Sequence, residues 1–261
     1  MLNKLLKKDL SRNMRWLWIL FVATIGLALV DRGCKELGAN IAFFKILGIF
    51  LDSVYYSLAV NVILQPFLRN FLNFTKSLYG DESYLTHTLP VTKNQIINAK
   101  FLTALIEIVC GFVCLVVSLL IMFVTPALFD GLQGLVTLIF GANVSAVVIL
   151  LLFVLLVTVE FLMFISIIFF SIVIAYRARE KRILKTFLWT VALAFLAITI
   201  LVVIMVIVLV CHGVDLTSNT LALSGSALLS IIITGITVYV AITVVFYFLT
   251  KRAFRQGVNV D

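Results

Sequence analysis

The chain has 261 residues, of which 63% are hydrophobic and 12% are charged, and its mean hydropathy is +1.22. Soluble domains have about 45–50% apolar and about 25% charged residues, so this composition excludes a soluble globule. The net charge of +8 does not indicate nucleic-acid binding, because the basic residues are not gathered in one basic domain. We therefore expect an all-α polytopic membrane protein whose residues 1–261 form a single transmembrane domain.

Hydropathy along the chain predicts one surface helix and six membrane-spanning helices. Residues 1–15 place leucines at helical spacing between lysines and arginines, which indicates an amphipathic interfacial helix on the inner membrane surface. Pro66 is expected to kink the second span near its inner end. The spans are expected at about residues 16–32, 46–68, 101–126, 146–176, 186–211 and 226–249.

The fourth span is separated from the third by an expected break in a long apolar stretch. Between Gly131 and Tyr176 only Glu160 is charged, and this stretch exceeds the roughly 20 residues of one bilayer crossing. Turn-forming residues before Ala146 mark the break, so the fourth span is predicted to begin there. Residues 131–142 are then expected to form an outer interfacial or re-entrant segment.

The distribution of lysine and arginine predicts the orientation. Basic residues are retained on the cytoplasmic side of short loops. If both termini are cytoplasmic, only three of the basic residues, Arg32, Lys35 and Lys45, lie on the outer side. We therefore expect a multi-pass protein of the cell (cytoplasmic) membrane with both termini cytoplasmic. The remaining 17 of the 20 basic residues lie in segments 1–15, 69–100 and 177–185 and in the tail.

The longest inner loop, residues 70–100, contains residues that typically begin and end helices, which indicates a structured segment. Gly80 can end the helix that descends from the second span. Asp81 can cap a short helix, and Pro90 stops it. This pattern predicts a short cytoplasmic helix below the membrane.

The third helix is also predicted to begin below the membrane. Thr92 followed by Gln95 matches a capping box, which predicts a helix start at Lys93. Two protruding helices joined by a short transverse one would form a rigid arm that transmits a push from a cytoplasmic partner. An ordinary ordered loop is the alternative.

The run LYGDESYLTHTLPVTKNQIINAK, residues 78–100, resembles the first cytoplasmic loop of ABC-2 type transporter permeases from Gram-positive bacteria. In those relatives a pattern close to G-D-E-G/S-Y-L-T-x-T-L-P-V-S/T precedes a third span that starts with lysine. This chain departs from the pattern at Ser83, where relatives often carry glycine, and at His87, where an aromatic residue is common. Outside this run the agreement is in architecture only.

The resemblance implies the permease subunit of an ATP-driven exporter that moves hydrophobic or amphipathic cargo, such as a peptide, drug or lipid, out of the cell. It implies two partners in the bilayer complex, an ABC ATP-binding subunit and a second permease copy or related chain. ATP and Mg would bind the partner, because this chain has no G-x-x-x-x-G-K-[ST] loop. The coupling residues implied are Gly80, Asp81, Glu82, Ser83, Tyr84, Leu85, Thr86, Leu89 and Pro90.

Three carboxylates lie inside predicted spans: Asp52, Glu107 and Glu160. A charged aspartate at mid-membrane costs about 2.5–3.5 kcal/mol on insertion scales, so such residues indicate function or a buried partner. Glu160 and Asp52 are expected to face a translocation path or a permease dimer seam, or else to hold helices together. Glu107 is expected to have a structural role and to reach inner-surface water or Arg69.

The alternative function is a stand-alone ion-coupled secondary transporter that uses Asp52 and Glu160 as ion sites. Such carriers often show inverted repeats with broken helices, and no such symmetry is evident. No catalytic residues, metal site or cofactor are expected on this chain, since it lacks His-rich, zinc-protease and hydrolase motifs.

Overall fold

The computed structural model describes residues 2–38, 41–80, 92–123, 126–140, 145–177, 181–214 and 224–256. All regular secondary structure within these ranges is helical. The helices in chain order are α1 (Leu2–Gly38), α2 (Ala42–Tyr79), α3 (Lys93–Phe123), α4 (Pro126–Phe140), α5 (Ala146–Ala175), α6 (Arg182–Cys211) and α7 (Gly225–Arg255).

Six of these helices, all except α4, are long and apolar enough to cross a membrane. Each has at least 30 residues, whereas the hydrocarbon core requires only about 20. The predicted all-helical fold is confirmed for the described residues, and six helices have the length and apolar composition expected of the predicted spans. The helix α4 has 15 residues and is too short to be a seventh span of this kind.

Two predicted helix starts are confirmed, and a side chain caps each of them. The side chain of Ser145 accepts a hydrogen bond from the backbone of the first turn of α5, which begins at Ala146. The backbone N–H of Thr92 donates to Oε1 of Gln95 at 3.2 Å, directly before α3 begins at Lys93. Both contacts pair polar groups that the helix itself leaves unsatisfied.

The third span is predicted to end at about residue 126, and the helix that contains it ends three residues earlier. The helix α3 ends at Phe123, and Pro126 is already the first residue of α4. Proline favours a first helical position, because its ring fixes a helical φ and its missing N–H would have no partner there. Hydropathy does not detect this boundary, since residues on both sides are apolar.

A separate interfacial helix at residues 1–15 is not supported, because residues 2–15 are the first turns of α1 itself. One buried stripe runs along α1 with spacings of three and four residues, as one face of a single helix requires. Polar residues occupy both ends of this stripe, so a hydropathy profile does not show that the stripe and its helix are continuous. The stripe consists of Asp9, Asn13, Leu17, Phe21, Thr24, Ala28 and Asp31.

The chain divides into two compact units. The first contains Met1–Lys76 and Thr88–Leu128, and thus α1, nearly all of α2, and α3. The second contains Ser77–His87 and Phe129–Asp261, and thus the last turn of α2, most of α4, and α5 to α7.

In the first unit α2 and α3 are in close contact beside Pro66, which interrupts the hydrogen bonds of α2. Pro66 has no N–H, so it cannot donate to the carbonyl of Val62 one turn earlier. That carbonyl lies against Gly111 of α3, where an added Cβ would be only 3.1 Å from the oxygen. Nearby, the hydroxyls of Tyr55 and Ser118 are 3.0 Å apart and also join the two helices.

In the second unit α5, α6 and α7 share a small core formed by Met163, Ile167, Ala197 and Phe246. The start of α7 lies against the end of α4, where a Cβ on Gly225 would come within 2.6 Å of Phe140 Cα. Glycine is therefore required at the first position of α7.

We expect Gly111→Leu to lower the free energy of unfolding by about 1–3 kcal/mol, because the side chain must force α2 and α3 apart. Thermal melting of the purified protein in detergent measures this loss. Gly26→Leu in α1 is the control, since no atom lies within 4 Å of its added Cβ. Equal melting temperatures for the two variants would contradict the close approach at Val62.

Candidate functional site

The predicted coupling helix, Asp81 to Pro90, lies outside the described residues. Of the predicted coupling residues only Gly80 is described, and it forms a bend directly after α2 ends at Tyr79. The predicted end of the helix at Gly80 is therefore confirmed. On the other side of the segment, α3 starts at Lys93 and continues without interruption to Phe123.

The last residue of α2 makes an aromatic stack inside the second unit. The rings of Tyr79 and Tyr176 lie 4.3 Å apart between centroids and 29° from parallel. Tyr176 caps the C-terminus of α5, and the guanidinium of Arg182 at the start of α6 lies 5.7 Å from its ring. The residue that directly precedes Gly80 thus contacts the connection between α5 and α6.

A cluster of buried polar side chains joins α1, α2 and α3 within the first unit, and we call it the N-terminal polar cluster. Lys100 Nζ lies 2.7 Å from Asp9 Oδ2, and both residues are buried. Asn73 donates to Asn13 Oδ1 at 2.6 Å. The cluster consists of Asp9, Asn13, Asn70, Asn73, Lys100 and Glu107.

Glu107 belongs to this cluster: its described hydrogen-bond partners are asparagines, and Arg69 acts on it only electrostatically. Its side chain is fully buried, and Oε2 accepts a hydrogen bond of 2.8 Å from Asn70. The amide of Asn13 faces the same carboxylate. The structural role expected for it agrees with these contacts.

Asp52 belongs to an ion triad at the opposite end of the first unit. Lys35 Nζ lies 2.7 Å from Asp52 Oδ1 and 2.8 Å from Asp31 Oδ2. The side chain of Asp31 is completely buried, whereas that of Asp52 is 28% exposed. Lys35 lies between the two carboxylates, so its single charge offsets one of their two charges, and it connects α1 to α2. The triad borders an open cavity of about 410 Å³.

Glu160 lies in the middle of α5 and is half-buried. It has no hydrogen-bond or ion-pair partner among the residues that the structure describes. Its carboxylate interacts electrostatically with Tyr239 in α7. Asp52 belongs to the first unit and Glu160 to the second.

Sequence reasoning missed the partners Asp9, Asn13 and Asp31. Their signal was present, because each lies three or four residues from the next member of the buried stripe of α1. Lys35 also follows Asp31 by four residues, the spacing of an ion pair on one helix face.

Comparisons with known proteins identify no family for the chain. No family model, no curated protein and no solved structure matches it. Any function must therefore be argued from the chain's own residues.

We expect Lys100→Met to destabilise the fold by roughly 3 kcal/mol, because it leaves the buried carboxylate of Asp9 without its nearest cation. Arg12 remains 3.7 Å from Asp9, which places the loss at the lower end of the range for a broken buried pair. The double variant Asp9→Asn with Lys100→Met should recover most of the stability. Melting of four proteins in detergent, namely the unchanged protein, Lys100→Met, Asp9→Asn and the double variant, measures the coupling. If the double variant loses as much unfolding free energy as the two single variants together, a direct interaction between Asp9 and Lys100 is contradicted.

Proposed function

We propose that the chain is the membrane-spanning permease subunit of an ATP-driven ABC-2 type exporter. Its cargo would be hydrophobic or amphipathic, such as a peptide, drug or lipid. A separate ATP-binding subunit would supply ATP hydrolysis, and a second permease copy or a related chain would complete the path. Residues 81–90 would form the coupling helix that docks in the ATPase.

The observation that carries this proposal is that a long, continuous helix borders the proposed coupling segment, residues 81–90, on each side. The helix α2 is continuous up to Tyr79, and α3 is continuous from Lys93, where Gln95 caps its first turn. If residues 81–90 form a short helix docked on a partner, a push on that helix would be carried to the two long helices that flank it. These flanks support a rigid arm over an ordinary loop.

The contacts of the arm supply a route for the motion. Asn70 joins α2 to Glu107 of α3, so a force on either helix is shared through a buried hydrogen bond. Tyr79 stacks on Tyr176, so the same force would act on the connection between α5 and α6. ATP binding on the partner would thereby switch the spans between inward and outward access.

We expect a P-loop ATPase to co-purify with the tagged chain in mild detergent. Replacement of residues 81–90 by a Gly/Ser linker should reduce its recovery at least about tenfold, because loss of a few central interface residues costs more than 1.4 kcal/mol. Mass spectrometry identifies the partner, and an ATPase assay measures its activity. Glu82→Ala with Tyr84→Ala is a smaller change that should have the same direction of effect.

A Gly/Ser linker of equal length at residues 214–223, between α6 and α7, is the matched control and should retain the ATPase. A chain that purifies alone and without ATPase activity would contradict the proposal. Retention of the ATPase by the 81–90 linker variant would place the docking site elsewhere.

The alternative, an ion-coupled secondary transporter, is favoured by one observation only, the absence of a described ion-pair partner for Glu160. Asp52 favours it less, since Lys35 already compensates its charge. The exporter proposal leaves no ion-binding role for Glu160.

We expect Glu160→Gln to leave ATPase co-purification within about twofold of the unchanged protein, as for substitutions without a specific partner. Proton flux through proteoliposomes, measured with a pH-sensitive dye under an imposed gradient, should stay at background. Glu160→Asp, which retains the acid, is the control. Flux that is present in the unchanged protein and the Asp variant but absent in the Gln variant would favour the carrier.

A further inference from the structure

The C-terminal end of α7 forms a basic cavity within the second unit. Its volume is about 570 Å³, and its lining residues are Phe248, Lys251, Arg252, Arg255 and Gln256. Three of these side chains are cationic and none is acidic. This size is within the usual range of about 300–1,000 Å³ for small-molecule sites.

An apolar face of α7 lies directly before these cations on the same side of the helix. Phe248 precedes Lys251 by three residues and Arg252 by four, and Arg255 follows one turn later, so these side chains share one side of α7. Val244 lies one turn before Phe248, and the two are 45% and 60% exposed. An apolar surface thus leads directly to a group of cations at the end of a membrane-spanning helix.

Contacts around the cavity hold its walls in place. Arg177, which follows α5, donates to a backbone carbonyl in the last turn of α7 at 2.6 Å and to Gln256 Oε1 at 3.1 Å. Lys251 donates to the hydroxyl of Tyr247 at 3.1 Å, with its ammonium 4.8 Å from the ring centroid. Arg252 is exposed and has no partner among the described residues, which leaves its five N–H donors available.

We propose that this cavity binds the phosphate-bearing headgroup of an anionic phospholipid. The guanidinium of Arg252 suits a phosphate because its fork of donors matches two phosphate oxygens. The acyl chains would lie along Phe248 and Val244. Inorganic phosphate has the same polar chemistry but cannot use this apolar face, so the surface fits a lipid better than a free anion. The proposal does not depend on the exporter function.

The test is native mass spectrometry of the full chain in detergent, titrated with phosphatidylglycerol or phosphatidylcholine. The triple variant Lys251→Gln, Arg252→Gln and Arg255→Gln removes the cations of the cavity. The matched control, Lys4→Gln, Lys7→Gln and Lys8→Gln, removes three exposed cations from α1. The single variant Arg252→Gln removes a side chain without described contacts and provides a test even if the triple variant fails to fold.

We expect affinity for phosphatidylglycerol to fall about fivefold in Arg252→Gln and on the order of 100-fold in the cavity triple variant. The α1 triple variant should change it less than about threefold, and phosphatidylcholine should bind weakly throughout. Equal losses in the two triple variants would overturn the proposal in favour of diffuse charge attraction. Equal affinity for the two lipids would also overturn it. Displacement of phosphatidylglycerol by inorganic phosphate at equal concentration would show an anion site rather than a lipid site.

Discussion

The arrangement of this protein depends on how helices can be held together in a solvent as apolar as their own side chains. Lipid tails solvate leucine and phenylalanine well, so burying apolar surface between helices provides little driving force. Phe195 of α6, which is 71% exposed, illustrates a face that suits lipid without a protein neighbour. Association must therefore come from close backbone approach and from polar pairs that lipid cannot replace.

The first unit uses both devices. Gly111 permits α3 to approach the carbonyl of Val62 that Pro66 leaves without a donor, so a local defect of α2 lies at a helix contact. The polar pairs lie towards the ends of the helices. The N-terminal polar cluster joins all three helices near one end, and Lys35 joins α1 to α2 near the other. In a mechanical permease, α2 fixed at both ends would move together with its neighbours.

Much of the fold could be predicted, because a membrane span depends on the hydropathy and length of a local segment. The start at Lys93 followed from a capping box and the start at Ala146 from turn-forming residues, and both are local signals. The continuity of α1 could not be predicted in this way, since Asp9 and Asn13 read as surface residues until their partners on other helices are known. The partner of Glu107 was missed for the same reason.

The sequence by itself determined that six helices are long and apolar enough to span a membrane, and it determined several helix boundaries, such as the starts at Lys93 and Ala146. These features depend on residues that are neighbours in the chain. The tertiary structure alone decided which polar groups pair: Asp9 with Lys100, Lys35 with Asp52, and Tyr79 with Tyr176. It also decided that Glu160 has no described partner and that the cations of α7 surround a cavity. These pairings join residues distant in the chain, and no local pattern of hydropathy or charge specifies a contact of that kind.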